Sequence, residues 1–256
     1  MNFEICTDSL KGALVADKYG AKRIELCAAL SVGGLTPNFG LIKQCVEKSN
    51  IEVHVMIRHK EGSFSYNAED VEIMKLDIEL VNKAGAHGVV FGILDENNEI
   101  SDLNKELVKL SKLLGLEVTF HRAFDFVPNH EKAIEKIIAL GFDRLLTSGL
   151  EPTAEQGIDI IRFLQSKYGN QIEIMAGSGI CASNVLKIAS LGIKNVHFTA
   201  RKKSNNKPTK LSMGELLVVD EEKIKNIIKN IPESIKPYEN QFESEFCGEI
   251  KYKRYD

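Results

Sequence analysis

Two short phrases near the start of the chain place a carboxylate and a thiol two residues apart. "FEIC" spans residues 3–6 and "IELC" spans residues 24–27. Both resemble buried strands, and strand side chains alternate between faces so that residues two apart share a face. We therefore expect Glu4 with Cys6, and Glu25 with Cys27, to face the same interior from neighbouring strands.

Two bare carboxylates so close together would repel each other strongly in a low-dielectric interior. The groups that could compensate them are a shared proton, a metal ion or the side chains of Arg58, His121 and Arg122. Such a cluster lowers stability and usually marks a functional site. A satisfied internal salt-bridge network with Arg58 is the purely structural alternative. Cys6 and Cys27, taken singly, could also be small buried hydrophobes.

A second distinctive stretch is "TFHRAFD", residues 119–125, at the end of a predicted strand. His121 can act as an acid, a base or a metal ligand. Arg122 offers a bidentate fork for a carboxylate or phosphate, and Asp125 could orient either residue.

The alternation of side chains along a strand also predicts the inward residues of the other strands. Strand three presents His54 and Arg58 to the interior. The fifth and eighth strands present further inward polar residues, namely Thr119, His121, His197 and Thr199.

Glycine-containing loops follow the later strands. "LLTSG" ends at Gly149, and "IMAGSGI" contains Gly177, Ser178 and Gly179. Small residues let backbone N–H groups approach an anion, and barrel loops after strands seven and eight often hold phosphate. Arg201 follows strand eight and completes the predicted anion site. The alternative is that these are tight turns that need a positive φ.

Short apolar runs alternate with amphipathic segments along the chain. Five helix-to-strand junctions contain a glycine, which favours the left-handed end of a helix; they are Gly20, Gly85, Gly115, Gly141 and Gly192. The predicted strands are residues 3–6, 23–26, 52–57, 88–91, 117–120, 143–146, 172–175 and 195–198. This order predicts a single-domain α/β fold, a (β/α)8 TIM barrel over residues 1–231. A doubly wound open sheet is the competitor, but no G-x-G-x-x-G follows the first strand.

The remaining segments and the composition set broader limits. Helices are expected at residues 68–84 and 221–230, a polar loop at 202–210, and an extension at 232–256 that packs on the barrel or a partner subunit.

The net charge of −3 favours neither nucleic acid nor an anionic membrane as a binding partner. The five scattered cysteines contain no C-x-x-C pair, which favours reduced thiols in the cytoplasm. No apolar run is long enough to span a bilayer, and no secretion signal is recognisable.

Taken together, these segments resemble the CutC family. The matching pieces are "FEIC", "GAKRIELCAAL", "GGLTP", "MIR", "VTFHRAFD", "LLTSG" and "MAGSGI", which run in family order over roughly residues 2–200. The resemblance implies a cytoplasmic TIM barrel, commonly a dimer or a higher homo-oligomer, with a proposed part in copper homeostasis. The family pattern carries over at Glu4, Cys6, Glu25, Cys27, Arg58, His121 and Arg122. The chain departs from it after strand three, where "IRHKEGSF" replaces the usual I-R-P-R-G-G-D-F.

Two functions follow as hypotheses. In the first, Cys6 and Cys27 bind Cu(I), which prefers soft thiolates, although the carboxylates beside them are hard ligands. In the second, the protein is an enzyme that acts on a small anionic substrate, a carboxylate or phosphate. Its catalytic residues would be Glu4, Glu25, Arg58, His121 and Arg122. Replacing both cysteines by serine should abolish copper binding and barely affect turnover, whereas His121→Ala and Arg58→Ala should do the reverse.

Overall fold

The computed structural model describes residues 1–204 and 216–231. Eight parallel strands form a closed barrel in chain order, with β8 hydrogen-bonded to β1. The strands are β1 (Asn2–Thr7), β2 (Arg23–Leu26), β3 (Glu52–Met56), β4 (Gly88–Phe91), β5 (Glu117–Phe120), β6 (Arg144–Thr147), β7 (Glu173–Gly177) and β8 (Asn195–Thr199). The predicted (β/α)8 barrel is confirmed, and the strand limits differ from the predicted ones by at most two residues.

Helices follow the strands as the sequence predicts. They are α1 (Leu10–Lys18), α2 (Phe39–Lys48), α3 (Ala68–Ala84), α4 (Asn104–Leu113), α5 (His130–Leu140), α6 (Ile158–Tyr168), α7 (Val185–Ala189) and α8 (Glu221–Lys229), with 3-10 turns at Leu30–Val32 and Arg122–Phe126. All five junction glycines have positive φ. At Gly85 the left-handed conformation lets its N–H bond back to α3, so the chain turns directly into β4.

A two-stranded antiparallel ribbon follows the barrel. It consists of β9 (Arg201–Lys203) and β10 (Leu217–Val219), with Arg201 opposite Val219. The predicted loop at residues 202–210 is therefore wrong at its start, where cross-strand hydrogen bonds hold an extended chain. Residues 205–210, and the predicted extension at 232–256, lie outside the described residues. The ribbon holds Arg201 beside β8 and leads into α8.

The strands separate an apolar outer layer from a polar interior. Outward side chains such as Ile5, Ile24 and Val53 are almost completely buried against the helices. Inward positions carry Glu4, Arg23 and other charged or polar groups, also buried. Alternation along each strand therefore keeps the two layers apart.

The register between β1 and β2 decides which interior groups meet. Glu4 lies opposite Arg23, and Cys6 lies opposite Glu25. The two carboxylates are thus staggered by one inward position rather than paired. This stagger, which barrel closure requires, relieves much of the repulsion expected between them.

The amino end of the barrel is closed by a separate charged cluster. The buried Arg144 guanidinium donates to Thr119 Oγ1 at 3.1 Å, Glu117 Oε2 at 3.0 Å and Glu173 Oε2 at 2.8 Å. These contacts satisfy Arg144 far from the carboxyl ends of the strands, so we assign this cluster a structural role. Among the described residues, no helix combines the length and apolar character that a membrane span requires.

Candidate functional site

A cavity of about 340 Å³ opens at the carboxyl ends of the strands, where TIM barrels carry their active sites. Its polar lining consists of Cys6, Glu25, His121, Arg122, Ser178, His197, Thr199, Arg201 and Lys223. Apolar walls come from Leu30, Met56, Phe64, Leu146, Ile180 and Phe198. An apolar pocket with a few convergent polar groups is the usual form of a small-molecule site.

Glu4 lies below this cavity, in a buried ion pair. Arg23 Nε donates to Glu4 Oε2 at 2.6 Å, and Arg23 Nη2 donates to Asn195 Oδ1 at 2.9 Å. Neither charged side chain lines the cavity. The structure thus places Glu4, predicted to be catalytic, outside the cavity lining, where it can orient other groups. Arg23 was missed from the sequence, although it shares the inward parity of Glu25.

His197 joins the two carboxylates. Its Nδ1 lies 2.8 Å from Glu4 Oε1, and its Nε2 lies 3.7 Å from Glu25 Oε2. Burial opposes a charge on the imidazole, but Glu25 and hydrogen bonds with Cys6 and Glu4 raise the pKa of His197 well above its ordinary value. Burial likewise opposes a charge on Glu4, yet Arg23 and His197 hold the pKa of Glu4 below its usual range. His197 was expected to point inward but was not among the predicted site residues.

Cys6 and Glu25 line the cavity, and the buried Cys27 contacts both of them. Cys6 Sγ lies 4.0 Å from Cys27 Sγ, and Cys27 Sγ lies 3.6 Å from Glu25 Oε2. The hydrogen bond with Cys27, together with His197, lowers the pKa of Cys6 to about 5 although burial opposes this. The bond with Cys6 and burial raise the pKa of Cys27 well above normal. Burial and the negative charge of Cys6 raise the pKa of Glu25.

The pKa directions place opposite charges beside one another in the cluster. The lowered pKa of Glu4 and the raised pKa of His197 favour a carboxylate paired with an imidazolium. Among Cys6, Cys27 and Glu25, only Cys6 has a lowered pKa, so its thiolate, which interacts with His197, is the favoured second anion. The cluster can therefore shift a proton between neighbouring groups without acquiring a net charge in a low-dielectric interior.

His121 is a neutral, buried imidazole in the cavity wall. Its Nδ1 accepts a hydrogen bond from the Ala123 amide at 3.3 Å, which leaves Nε2 to carry the proton. Burial and the nearby Arg58 lower the pKa of His121 to about 3. The Phe64 ring lies edge-on, with ring centroids 4.8 Å apart. His121 can thus donate a hydrogen bond to a ligand but is a weak base.

Arg122 is held at the rim by Asp125, as the sequence suggested. Arg122 Nε donates to Asp125 Oδ2 at 2.7 Å, and Nη2 donates to Ser148 Oγ at 2.9 Å. Asp125 also accepts hydrogen bonds from the amides of Ser148 and Leu150. This network fixes the loop after β6, while the side chain of Arg122 remains 39% exposed.

Arg58, one of the groups that could have compensated the carboxylates, bonds to backbone carbonyls instead. Its Nη1 donates to the carbonyl oxygens of Val32 at 2.9 Å and Gly34 at 3.0 Å, and its Nη2 donates to Gly62 at 2.9 Å. The guanidinium therefore joins the loops after β2 and β3 and does not line the cavity. Arg23 and His197 take the compensating position because they lie opposite Glu4 in the register.

The predicted anion-binding residues divide into two groups. Ser178, Gly179 and Arg201 line the cavity. Gly149 lies against the backbone of Gly157, where a Cβ would approach the carbonyl oxygen to 2.2 Å. Gly177 is inside the barrel, where a Cβ would lie 2.6 Å from Leu146. Neither of these two glycines lines the cavity, so close packing explains why they are glycines.

Two overlapping groups of side chains have the spacing that a metal ion needs. Cys6, Glu25 and Cys27 form one, and Glu4, Glu25 and His197 form the other, each with donor atoms within 4.8 Å of one another. Glu25 Oε1 is buried and has no hydrogen-bond partner. Thiolates suit Cu(I) better than harder ions, so the first group fits copper through its sulfurs and less well through its carboxylate.

Comparison with known proteins agrees with this geometry. The CutC family model matches residues 1–202. A CutC protein from Bacteroides thetaiotaomicron is 42% identical over 226 residues, covering 86% of this chain and 90% of the relative. A CutC protein from Vibrio campbellii is 42% identical over 200 residues, which cover 77% of this chain and 81% of the relative.

A solved structure of CutC from Streptococcus agalactiae, whose name refers to copper homeostasis, superposes with a TM-score of 0.72. It is 36% identical, and the match covers 77% of this chain and 98% of that one. The barrel, the order of the motifs and these matches lead to one conclusion, that the chain belongs to the CutC family.

Proposed function

We propose that this protein is an enzyme that binds a small anionic metabolite at the mouth of the barrel and moves a proton on it. The observation that carries the proposal is the environment of Glu25. Its Oε1 is buried without a hydrogen-bond partner, although the residue lines a cavity of about 340 Å³. An unsatisfied buried carboxyl oxygen is costly unless a ligand completes its bonding.

The roles follow from the placement of each group. Burial and the negative charge of Cys6 raise the pKa of Glu25, which makes its carboxylate a stronger base that takes a proton from the substrate and returns it as a carboxylic acid. His197 and Cys6 hold the compensating charges beside it. Glu4 and Arg23 position His197 from below. Arg122 offers its exposed edge to an anionic group, and His121 donates a hydrogen bond. An isomerase or an aldolase-like lyase, both of which move a carbon-bound proton, could use this set.

Isotope exchange tests the proposal without knowledge of the product. The full chain is incubated in D2O with a panel of small carboxylates and phosphate esters, and loss of C–H signals is followed by proton NMR. We expect the wild type to exchange a carbon-bound proton of at least one compound. Glu25→Gln should reduce the rate by about 100-fold or more, as for removal of a general acid–base group.

Glu173→Gln is the matched control, because Glu173 is a half-exposed carboxylate at the opposite end of the barrel, where it pairs with Arg144. It should keep the wild-type exchange rate. Equal exchange by wild type and Glu25→Gln, or no exchange with any compound in the panel, would contradict the proposed chemistry.

Cu(I) binding by Cys6 and Cys27 is a second candidate function, favoured by the separation of the two sulfurs. With metal–sulfur bonds of roughly 2.3 Å, as for zinc thiolates, a 4.0 Å separation corresponds to an angle of about 120° at the ion. That angle suits a three-coordinate site. Cys27 has no exposed surface and Cys6 only 7%, so copper would enter through the cavity and exchange slowly. A cytoplasmic location and a homodimer or higher homo-oligomer remain predictions.

A further inference from the structure

We propose that the anionic metabolite carries a phosphate group, and that the loops after β7 and β8 bind it through the backbone amides of Ser178, Gly179 and Ile180 together with Arg201 and Lys223. The inference rests on the proposed function, since it names the substrate class for the same cavity. All five residues line that cavity.

Three successive backbone amides are available to a ligand. Among the described residues, the N–H groups of Ser178, Gly179 and Ile180 donate to no acceptor. The loop does bond through its other groups. Ser178 Oγ donates to the Pro152 carbonyl at 2.7 Å, and the Ser178 carbonyl accepts from the Ala154 amide at 3.0 Å. The loop is therefore anchored, while its three amides have no acceptor among the described residues.

The backbone conformation of this loop supports a binding role. Ser178 has a φ of 76°, and the following Gly179 has a φ of 70°. A non-glycine residue in the left-handed region is strained by roughly 1–3 kcal/mol, and such strain persists mainly at ligand-binding sites. Thr153 packs so close to Gly179 that a Cβ there would lie 2.9 Å from it. The adjacent loop thus leaves room only for glycine at position 179.

Two cations, Arg201 and Lys223, line the same cavity. Arg201 Nε is buried without a hydrogen-bond partner, and Arg201 Nη1 has only a long contact of 3.4 Å with Asp8 Oδ2. Lys223 lies in the first turn of α8, which the ribbon of β9 and β10 places beside the barrel mouth. A buried unpaired guanidinium nitrogen costs free energy that an anion would recover.

The number of donors favours phosphate over carboxylate. Three amides, Arg201 Nε and the Lys223 ammonium provide five donor groups. A carboxylate has two oxygens, whereas a phosphate monoester has three terminal oxygens and a charge of about −1.5 to −2 near neutral pH. Arg201 and Lys223 carry two positive charges, which Asp8 offsets in part, and they suit the doubly charged phosphate better than the singly charged carboxylate. A phosphate bound here leaves the rest of the molecule in the same cavity as Glu25 and His197.

Titration of the full chain with inorganic phosphate tests the site. In a ¹⁵N-labelled sample, we expect the amide signals of Ser178, Gly179 and Ile180 to shift with a common dissociation constant. Arg201→Gln should weaken binding by about tenfold or more, the size expected for a charge-assisted hydrogen bond. Lys202→Gln is the matched control, since it removes the same charge one residue along, where Lys202 is exposed and contacts Asp220. It should change the constant by less than about twofold.

If Arg201→Gln does not fold, Lys223→Gln takes its place, with Lys225→Gln on the same helix as its control. The site is overturned if the three amides do not shift, if acetate at equal ionic strength binds as tightly as phosphate, or if a control variant weakens binding as much as its test variant. Failure of the proposed enzyme would look different. Phosphate would still shift the three amides, but Glu25→Gln and wild type would exchange protons equally.

Discussion

His197 Nδ1 lies 2.8 Å from Oε1 of Glu4, a carboxylate with no exposed surface. The two residues are separated by 193 positions in the sequence and become neighbours where β8 meets β1 and closes the barrel. Through the opposite edge of its ring, His197 reaches Glu25 at 3.7 Å. One histidine therefore links the carboxylate of "FEIC" to that of "IELC".

The first prediction concerns the buried pair of Glu4 and Arg23. Arg23→Met removes the guanidinium that pairs with buried Glu4 and leaves His197 as its remaining charged partner, so it should lower the free energy of unfolding by about 3–5 kcal/mol. Urea denaturation followed by circular dichroism measures this change. The double variant Glu4→Gln/Arg23→Met should lose less than the sum of the two single variants.

The matched control for that pair is Lys22→Met, which removes an adjacent cation that pairs with Glu52 at the surface. It should cost less than about 1 kcal/mol. If Arg23→Met lowered the free energy of unfolding as little as Lys22→Met, the buried pair of Glu4 and Arg23 would not contribute the predicted stability.

The second prediction concerns the reactivity of Cys6. Because hydrogen bonding with Cys27 and the charge of His197 lower its pKa to about 5, its thiolate persists at neutral pH. Alkylation by iodoacetamide should therefore be constant above about pH 6 and fall towards lower pH. Site-resolved mass spectrometry gives the rate. Cys45, whose pKa burial raises to about 11, should react negligibly. His197→Asn should move the Cys6 midpoint upward, and an unchanged midpoint would contradict the assigned ion pair.

The third prediction is a loss of stability in acid caused by His54. Burial lowers the pKa of His54 to about 3 from 6.5, and neither ring nitrogen has a hydrogen-bond partner. The unfolded chain takes up this proton first as pH falls below 6.5, so the stability held above that pH is lost progressively towards pH 3. The slope from this residue is up to about 1.4 kcal/mol per pH unit. Denaturation of His54→Leu between pH 6 and 4 should show a shallower slope than wild type. Parallel slopes would contradict this assignment.

The fourth prediction separates copper binding from catalysis. Cys27→Ser removes one of the two sulfurs but no group that lines the cavity. The variant should bind Cu(I) at least about 100-fold more weakly, because one of two soft ligands is lost. Competition with a chromogenic Cu(I) chelator measures the affinity. Cys45→Ser, a buried cysteine on α2, is the control and should bind like wild type. Equal copper binding by Cys27→Ser and wild type would exclude this pair as the site.

The fifth prediction concerns Arg58, which joins two loops through three carbonyl oxygens. Arg58→Met leaves these carbonyls without their charged donor and should destabilise the protein by about 2–4 kcal/mol. Hydrogen exchange should accelerate in the loops after β2 and β3 and stay unchanged at the amino end of the barrel. Uniform acceleration, or none, would contradict a local role in holding the loops together.

Local sequence patterns determined much of this protein. The alternation within "FEIC" and "IELC" correctly predicted that Glu4, Cys6, Glu25 and Cys27 would face the interior, since side-chain parity depends only on the backbone of one strand. The junction glycines predicted where helices end, because the left-handed cap is also a local property. The (β/α)8 order followed from the succession of these elements.

The tertiary structure alone decided which interior groups meet. Closure of the barrel set the stagger that places Glu4 beside Arg23 and His197 and leaves Arg58 to the loop carbonyls. That stagger depends on strand tilt and shear around all eight strands, which no single strand encodes. The same long-range geometry brought Arg201 and Lys223 to the cavity and left Gly149 and Gly177 outside it. The face on which a side chain lies is set within one strand, whereas the residue it meets is set by the register of the whole barrel. The chemistry of this site depends on both.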